Sequence, residues 1–511
     1  MRLFTCLLAL VLLFLPMIIS AADDGVSFLR DGDVWVFHGD SITHADTYRR
    51  ACERVFRHYH PDAKVDFVQA GVWGSTSSDL AKRLKDEGRK PTIVSMMLGM
   101  NNAINGQWVK GEPREKPLMA YRQDITKFVQ KYRADGAVVI LMSPTLADET
   151  CRRTFFRIDG ANDFLRDCQK IVKEIAATEG ALYIPVQEEF EQFQETLDRQ
   201  QKLRPDGVHP SSLGEYRIAR SLWERMNFSG RLDGKERKLS EPVPRLSVNL
   251  HIDDMTITTE PAMPDIQINW SIGGKHGTAP QLKFPVDLKA GDATDAVVDV
   301  SAGGKSAMFI IDFCAVPVLH FTDNVINGTL PNAAKWKLRR NGSELLLDAE
   351  VPDSLIDSSS EWAFGRDGLN LFFDLRPANR FANINFDADV HQTMVNIYEK
   401  PFFAANLRPW MGDGMERAAT CAGEKTANGY NVHMSINGRL NLHEPFALDK
   451  RDAIGISIAV NDVGGGKSNT YEMLPAQRPR DQYANSMTII DLKDKIKADM
   501  VINTNVYPII K

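Results

Sequence analysis

From Val34 onward, short apolar runs alternate with longer stretches whose apolar residues recur at helical spacing. Val34 to Phe37 is a mostly apolar run that reads as a buried strand, and Gly39 breaks it. Asp40 and Ser41 follow where a helix N-cap is expected. Tyr48, Cys52, Val55, Phe56 and Tyr59 then fall on one face of a helix. Val65 to Val68, Thr92 to Leu98, Ala137 to Met142 and Ala181 to Val186 read as further strands. Between them, helices are predicted for Ser75 to Lys85, for the stretch marked by Tyr121, Ile125, Phe128, Val129 and Tyr132, and for Asn162 to Ala177. A last helix carries Tyr216, Ala219, Leu222, Trp223 and Met226 on one side.

Strands that alternate with helices build a parallel sheet covered on both faces. The expectation is a doubly wound, flavodoxin-like α/β domain over residues 23–230, with a five-stranded parallel sheet. Ligands of such sheets bind beyond the carboxyl ends of the strands. Ser41, the Gly71 to Thr76 loop and the Gly99 to Asn102 loop all belong to that rim, after the first, second and third strands.

Beyond Gly230 the period changes. Residues 231–245 are charged and carry Pro242 and Pro244, which suggests a linker. Leu246 to Ile252 and Asp265 to Trp270 alternate in the manner of strands, and Asp295 to Val300, Met308 to Phe313, Leu345 to Val351, Gly368 to Leu375 and Ile454 to Val460 add more. Asn-Gly pairs at 327–328, 341–342, 428–429 and 437–438 predict turns. All-β sandwiches fit this pattern, divided into a small one over 246–322 and a larger one over 323–495.

Composition changes the picture only at the N-terminus. At 511 residues the chain is long enough for two or three domains. With 43% hydrophobic and 25% charged residues it is ordinary globular protein, and a net charge of −6 offers nucleic acid no electrostatic footprint. Arg2, the apolar run Leu7 to Ile19 and the small residues Ser20-Ala21-Ala22 predict a secretory signal peptide over 1–22. The run is short for a membrane span and Pro16 interrupts it. The mature chain is therefore expected to be exported, periplasmic or extracellular, without integral membrane association. Of the cysteines, Cys6 precedes the cleavage site, and Cys52 and Cys168 lie on apolar helix faces as buried thiols. The five left in the mature chain make no disulfide framework, and pairing of Cys151 with Cys168 stays open.

The rim residues suggest chemistry. A serine hydroxyl is a weak nucleophile near neutral pH and needs a general base within hydrogen-bond reach. Asp206-Gly207-Val208-His209-Pro210 offers a carboxylate to orient an imidazole and an imidazole to face Ser41. The Asn101 side chain and the backbone N–H groups of Ser41 and Gly74 can hold a developing oxyanion. Singly these are common loop compositions. Together they fall in order, after the expected strands, within one domain-sized span.

Residues 33–226 resemble the SGNH, or GDSL-type, hydrolases. Gly39-Asp40-Ser41-Ile42-Thr43 resembles the nucleophile block, and Ala70-Gly71-Val72-Trp73-Gly74-Ser75-Thr76-Ser77 the second block, with Gly74 at the oxyanion-hole glycine. Gly99-Met100-Asn101-Asn102 resembles the third block with Asn101 as the oxyanion-hole asparagine, and Asp206-Gly207-Val208-His209-Pro210 the last, completing a Ser41–Asp206–His209 triad. Asn102 departs from the family's usual Asp, a mainly structural position. The resemblance implies ester hydrolysis through an acyl-serine, with no metal or organic cofactor. A second resemblance, from Trp336 through Asp462, is to family 9-type carbohydrate-binding modules. Joined, the two imply an exported esterase removing acyl groups, acetyl first among them, from polysaccharide. The alternatives are a lipid-directed esterase or thioesterase and, from another class, a glycan-binding protein with a silent hydrolase domain. The charged Asn105 to Pro117 stretch does not resemble an acyl-chain lid.

Overall fold

The computed structural model describes residues 25–508 apart from 84–89, 105–112, 151–157, 196–202, 205–206, 235–236, 241–245, 254, 264, 279, 283–287, 290–291, 330–332, 355, 357–366, 375–389, 397–402, 407–418, 437–447, 465–466, 475–486, 494 and 499. The expected signal segment, Cys151 and Asp206 lie outside the described residues.

β1 (Val34–Gly39), β2 (Asp66–Gly71), β3 (Ile93–Met97), β4 (Val138–Met142) and β5 (Leu182–Ile184) form one sheet in the order β2-β1-β3-β4-β5. Every neighbouring pair is parallel. The chain winds to one side of β1 to make β2 and to the other to make β3, so the switch point of this flavodoxin-like sheet lies where β1 ends. Ser41 is two residues past that end.

Eight helices are described in this domain: α1 (Ser41–His44), α2 (Thr47–Tyr59), α3 (Ser77–Arg83), α4 (Met100–Ile104), α5 (Glu115–Ala134), α6 (Ala161–Glu179), α7 (Val186–Glu195) and α8 (Ser212–Arg225). α2 buries Tyr48, Cys52, Val55 and Phe56, the face that the apolar spacing predicts. α7 departs from the sequence reading, which continued the fifth strand to Val186. Pro185 ends that strand by removing a backbone donor, and Glu188 and Glu189 suit the first turn of a helix. Cys52, Cys168 and Cys314 are free, buried thiols.

The described part of the segment expected to be a linker is held against the α/β domain: Arg231 pairs with Val26, Leu232 and Leu239 pack on the core, and the Ser240 N–H donates to the Arg225 carbonyl at 2.6 Å. Arg237 pairs with Asp33 at 2.7 Å, donates to the Phe28 carbonyl and lies over the Phe28 ring. This ties the exit of the α/β domain to the start of β1.

The rest is β structure, antiparallel among the described strands except where Val318–His320 pairs in parallel with Ile489–Asp491. The hairpin β6 (Asn249–Asp253) and β7 (Thr256–Glu260) covers one face of a sheet containing β8 (Gln267–Ile272), β9 (Lys275–Thr278), β10 (Ala293–Ala302) and β11 (Lys305–His320). Ala296, Val298, Phe309 and Ile311 point to the hairpin, whereas Val297, Met308 and Ile310 join the core of the α/β domain. Burial on both faces explains why Ala307 to Val316 reads as a nearly continuous apolar run rather than an alternating one.

The C-terminal sandwich packs the sheet β12 (Val325–Thr329), β13 (Lys335–Asn341), β14 (Glu344–Pro352), β19 (Gly429–Ile436) and β18 (Ala419–Thr426) against β15 (Gly368–Asp374), β20 (Ala453–Gly464) and β22 (Thr488–Asp491). β16 (Val390–Asn396) and β17 (Phe403–Asn406) extend the second sheet beyond β15, and β21 (Lys467–Leu474) pairs with β20. Trp336, Leu338, Leu347 and Val432 meet Leu371, Phe373, Ile456 and Ile458 in one core. β22 also pairs with Val318–His320 of β11, and the last strand, β23 (Met500–Pro508), runs antiparallel to Phe309–Pro317 of β11. Asn341-Gly342 turns β13 into β14, and Asn428-Gly429 turns β18 into β19, as the Asn-Gly pairs predict. Asn327-Gly328 does not turn. It lies inside β12 because Gly328 sits against the Trp336 indole, where a β-carbon would come within 2.7 Å of the ring. The pair at 437–438 lies outside the described residues, as do Trp362 and Trp410. Trp336 is buried in the sandwich core. No helix among the described residues is long and apolar enough to cross a membrane.

Candidate active site

β1 delivers Ser41 to the rim through a tight strand-to-helix junction. Asp40 caps α1, its carboxylate accepting the Ile42 N–H at 3.0 Å. Ser41, the first residue of the helix, presents one of the amides that have no acceptor within the helix. α1 lies almost on the strand ends. A β-carbon at Gly39 would meet Thr43 Oγ1 at 1.9 Å, and one at Gly71 would meet the His44 nitrogen at 2.5 Å. The absence of a side chain at both positions is what lets α1 sit there.

The Ser41 hydroxyl lies 2.8 Å from His209 Nε2, across 168 residues of sequence. His209 belongs to a loop braced on both sides. Gly207 adopts a left-handed φ of 86°, and its carbonyl accepts the Asp148 N–H at 2.8 Å. Arg204, nearly buried, donates to the Leu146 carbonyl and lies over the Phe190 ring. The Leu203 carbonyl accepts the Ser211 N–H at 2.6 Å, and Ser211 caps α8. The backbone on either side of Asp206 is thus fixed to strand β4's outgoing loop and to α8. The carboxylate itself is not described.

Two loops complete the rim. Gly74 stands exposed after β2 in a left-handed conformation, with φ of 68°. Asn101, at the start of α4, is buried, and its amide donates to the Ser75 carbonyl at 3.2 Å. This bond links the second and third loops directly. Asn102 binds Ser77 twice, accepting its N–H at 3.1 Å and donating to its hydroxyl at 3.2 Å. The Ser77 hydroxyl donates in turn to Asp124 on α5. Asn102 therefore caps α3, which the neutral amide does as well as a carboxylate would.

Burial raises the Asp40 carboxyl to about 6, against the lowering effects of the Ile42 N–H and of nearby His209. Glu215, fully buried on α8, is pushed well above the usual carboxylate range by the same desolvation, reinforced by Asp40 and Asp46. It accepts the Tyr48 N–H, and the Tyr48 hydroxyl bonds Thr43 at 2.9 Å behind α1. Sequence patterning did not mark Glu215, because a charged residue on an amphipathic helix reads as solvent-facing. Nor did it assign a role to Trp73 or His44. Trp73 is 55% exposed, with its ring 5.1 Å from that of His44 and 6.4 Å from that of His209. Among the described residues no group of three His, Cys, Asp or Glu side chains is placed to hold a metal ion.

A serine hydroxyl bonded to an imidazole at the switch point of a doubly wound sheet is the equipment of a carboxylic ester hydrolase. Residues 37–217 match the GDSL-like lipase/acylhydrolase family, and the N-terminal domain is a carboxylic ester hydrolase of this SGNH type. Residues 316–491 match the carbohydrate family 9 binding domain-like model. Among solved structures, the acetylxylan esterase Axe2 of Geobacillus stearothermophilus is 23% identical, over 42% of this chain and 99% of its own, with a TM-score of 0.33. LAE5, an alpha/beta hydrolase enzyme from the metagenome of Lake Arreo, Spain, is 22% identical, over 41% of this chain and 100% of its own, with a TM-score of 0.34. No curated protein matches the chain.

Proposed function

We propose that the protein is an exported serine esterase that removes short acyl groups, acetyl above all, from polysaccharide through an acyl-serine. The observation that carries this reading is the 2.8 Å contact between Ser41 Oγ and His209 Nε2. His209 takes the hydroxyl proton as Ser41 attacks the ester carbonyl, and Asp206 orients the imidazole. The tetrahedral oxyanion rests on the N–H groups of Ser41 and Gly74 and on the Asn101 amide. On collapse, the C–O bond to the sugar breaks and His209 returns its proton to the leaving oxygen. Water, deprotonated by His209, then attacks the acyl carbon, the bond to Ser41 Oγ breaks, His209 returns the proton to Oγ, and the carboxylic acid leaves.

The carbohydrate side of this reading is supported by the family 9 binding-domain match in the same chain. Export through the leader at 1–22 suits an enzyme whose substrate lies outside the cell. The test is acetate release from a panel of acetylated polysaccharides by the full chain and by Ser41→Ala. Release by the wild type and its loss in Ser41→Ala are expected. Turnover retained in Ser41→Ala would contradict the assignment.

A further inference from the structure

We infer that Trp73, with His44 beside it, forms the subsite for the alcohol half of the ester, an indole platform on which the pyranose ring carrying the acyl group stacks. This rests on the esterase reading above and extends it from the reacting atoms to the leaving group. The reasoning begins with the proton. The leaving oxygen must come within hydrogen-bond reach of His209 Nε2 to be protonated. The sugar is bonded to that oxygen directly or through one carbon, so its ring must lie beside the imidazole.

The large side chain exposed at that position is Trp73, whose ring centre is 6.4 Å from that of His209. A single exposed apolar residue is ordinary on a protein surface. Here two of the four large exposed hydrophobics among the described residues, Val72 and Trp73, are adjacent and immediately precede Gly74. One loop thus presents the platform and an oxyanion donor together. An aromatic face offers a sugar's C–H face a flat apolar surface, while its rim leaves the hydroxyls in water.

The platform is braced from behind. His44 Nδ1 lies 3.1 Å from the Gly71 carbonyl, which can only accept, so Nδ1 carries the proton. In the neutral ring Nε2 then holds a lone pair able to accept a hydrogen bond from a sugar hydroxyl. Gln69 donates to the His44 carbonyl at 3.2 Å and to the Gly71 carbonyl at 3.4 Å, tying the second loop to α1. The His44 ring is therefore fixed, and the Trp73 ring lies beside it, inclined at 53°. This makes a two-walled notch next to the nucleophile.

The test compares two acetyl esters on the full-length protein, an acetylated pyranoside and triacetin, whose leaving alcohol has no ring. Trp73→Ala should lower the ratio of kcat/KM for the pyranoside to that for triacetin by roughly ten-fold, the worth of one aromatic face contact. Trp73→Phe, which keeps a smaller face, should recover part of that ratio. A ratio unchanged in Trp73→Ala overturns the subsite, and so does a wild-type enzyme that turns over triacetin but not the pyranoside. Both of those results leave the esterase standing. Turnover of neither ester by the wild type would instead overturn the esterase reading, and this inference with it.

Discussion

At the scale of single residues, the site depends on what is missing as much as on what is present. Gly39 and Gly71 admit α1 to the strand ends, and the hydroxyl of Ser41 reaches His209 because of it. Asp40 is the costly member. Its carboxyl is raised to about 6 by burial, above an ordinary value of 3.8, so the unfolded chain gives up this proton at lower pH than the folded one. Between about pH 4 and 6 the folded state binds more protons, and its stability falls as pH rises through that window. Asp40→Asn keeps an oxygen for the Ile42 N–H and removes the charge. Relative to wild type it should gain up to roughly 3 kcal/mol on going from pH 4 to pH 7. Denaturant titrations of both proteins at the two pH values measure this, and a difference independent of pH would contradict it. In the sequence, the cap role of Asp40 was legible from its place before a helix; its burial was not, because groups near it, such as Tyr121, His209 and Glu215, come from far along the chain.

At the scale of elements, strand and helix period carried the α/β domain almost whole. Strands β1 to β4 and the buried face of α2 lie where apolar spacing puts them. The failures have local causes. α7 was missed because Pro185 and two glutamates outweigh an apolar run, and the turn at 327–328 failed because Gly328 was needed for the Trp336 ring rather than for a bend. β23 was also unassigned, as its mixed sequence shows little of where it binds. It pairs with β11 from Phe309 to Pro317, across nine residue pairs. Deleting residues 499–511 would leave that edge of β11 with unpaired N–H and C=O groups. The truncated protein should unfold at lower temperature and aggregate more readily, as thermal melts with light scattering would show. A melting temperature equal to that of the full chain would contradict this pairing.

At the scale of the molecule, the α/β domain and the β-rich half are not beads on a string. Val297, Met308 and Ile310 complete the α/β core, Tyr216 on α8 donates to buried Asp312 at 3.2 Å, and Arg54 pairs with Asp295. His58 on α2 bonds Ser271 at 2.7 Å, and burial, aided by His276, holds it down to about 4, so that it stays neutral in the contact. α8 begins three residues after His209, so the helix that follows the imidazole is also the one that touches the β-rich half. The polar contacts were not legible in sequence, since they join residues whose character reads as solvent-facing, and the apolar ones read only as strand, without the partner they cover. These contacts mean that glycan binding by the β-rich half is best measured on the full chain carrying Ser41→Ala.

The central claim is that Ser41 carries the acyl group. Brief mixing with a large excess of a 4-nitrophenyl acetate labelled in the acetyl group, acid quench, and mass spectrometry of the digested protein tests it most directly. The label should appear on the peptide containing Ser41, and Ser41→Ala should show none there. Label confined to another residue, with turnover undiminished in Ser41→Ala, would contradict the mechanism.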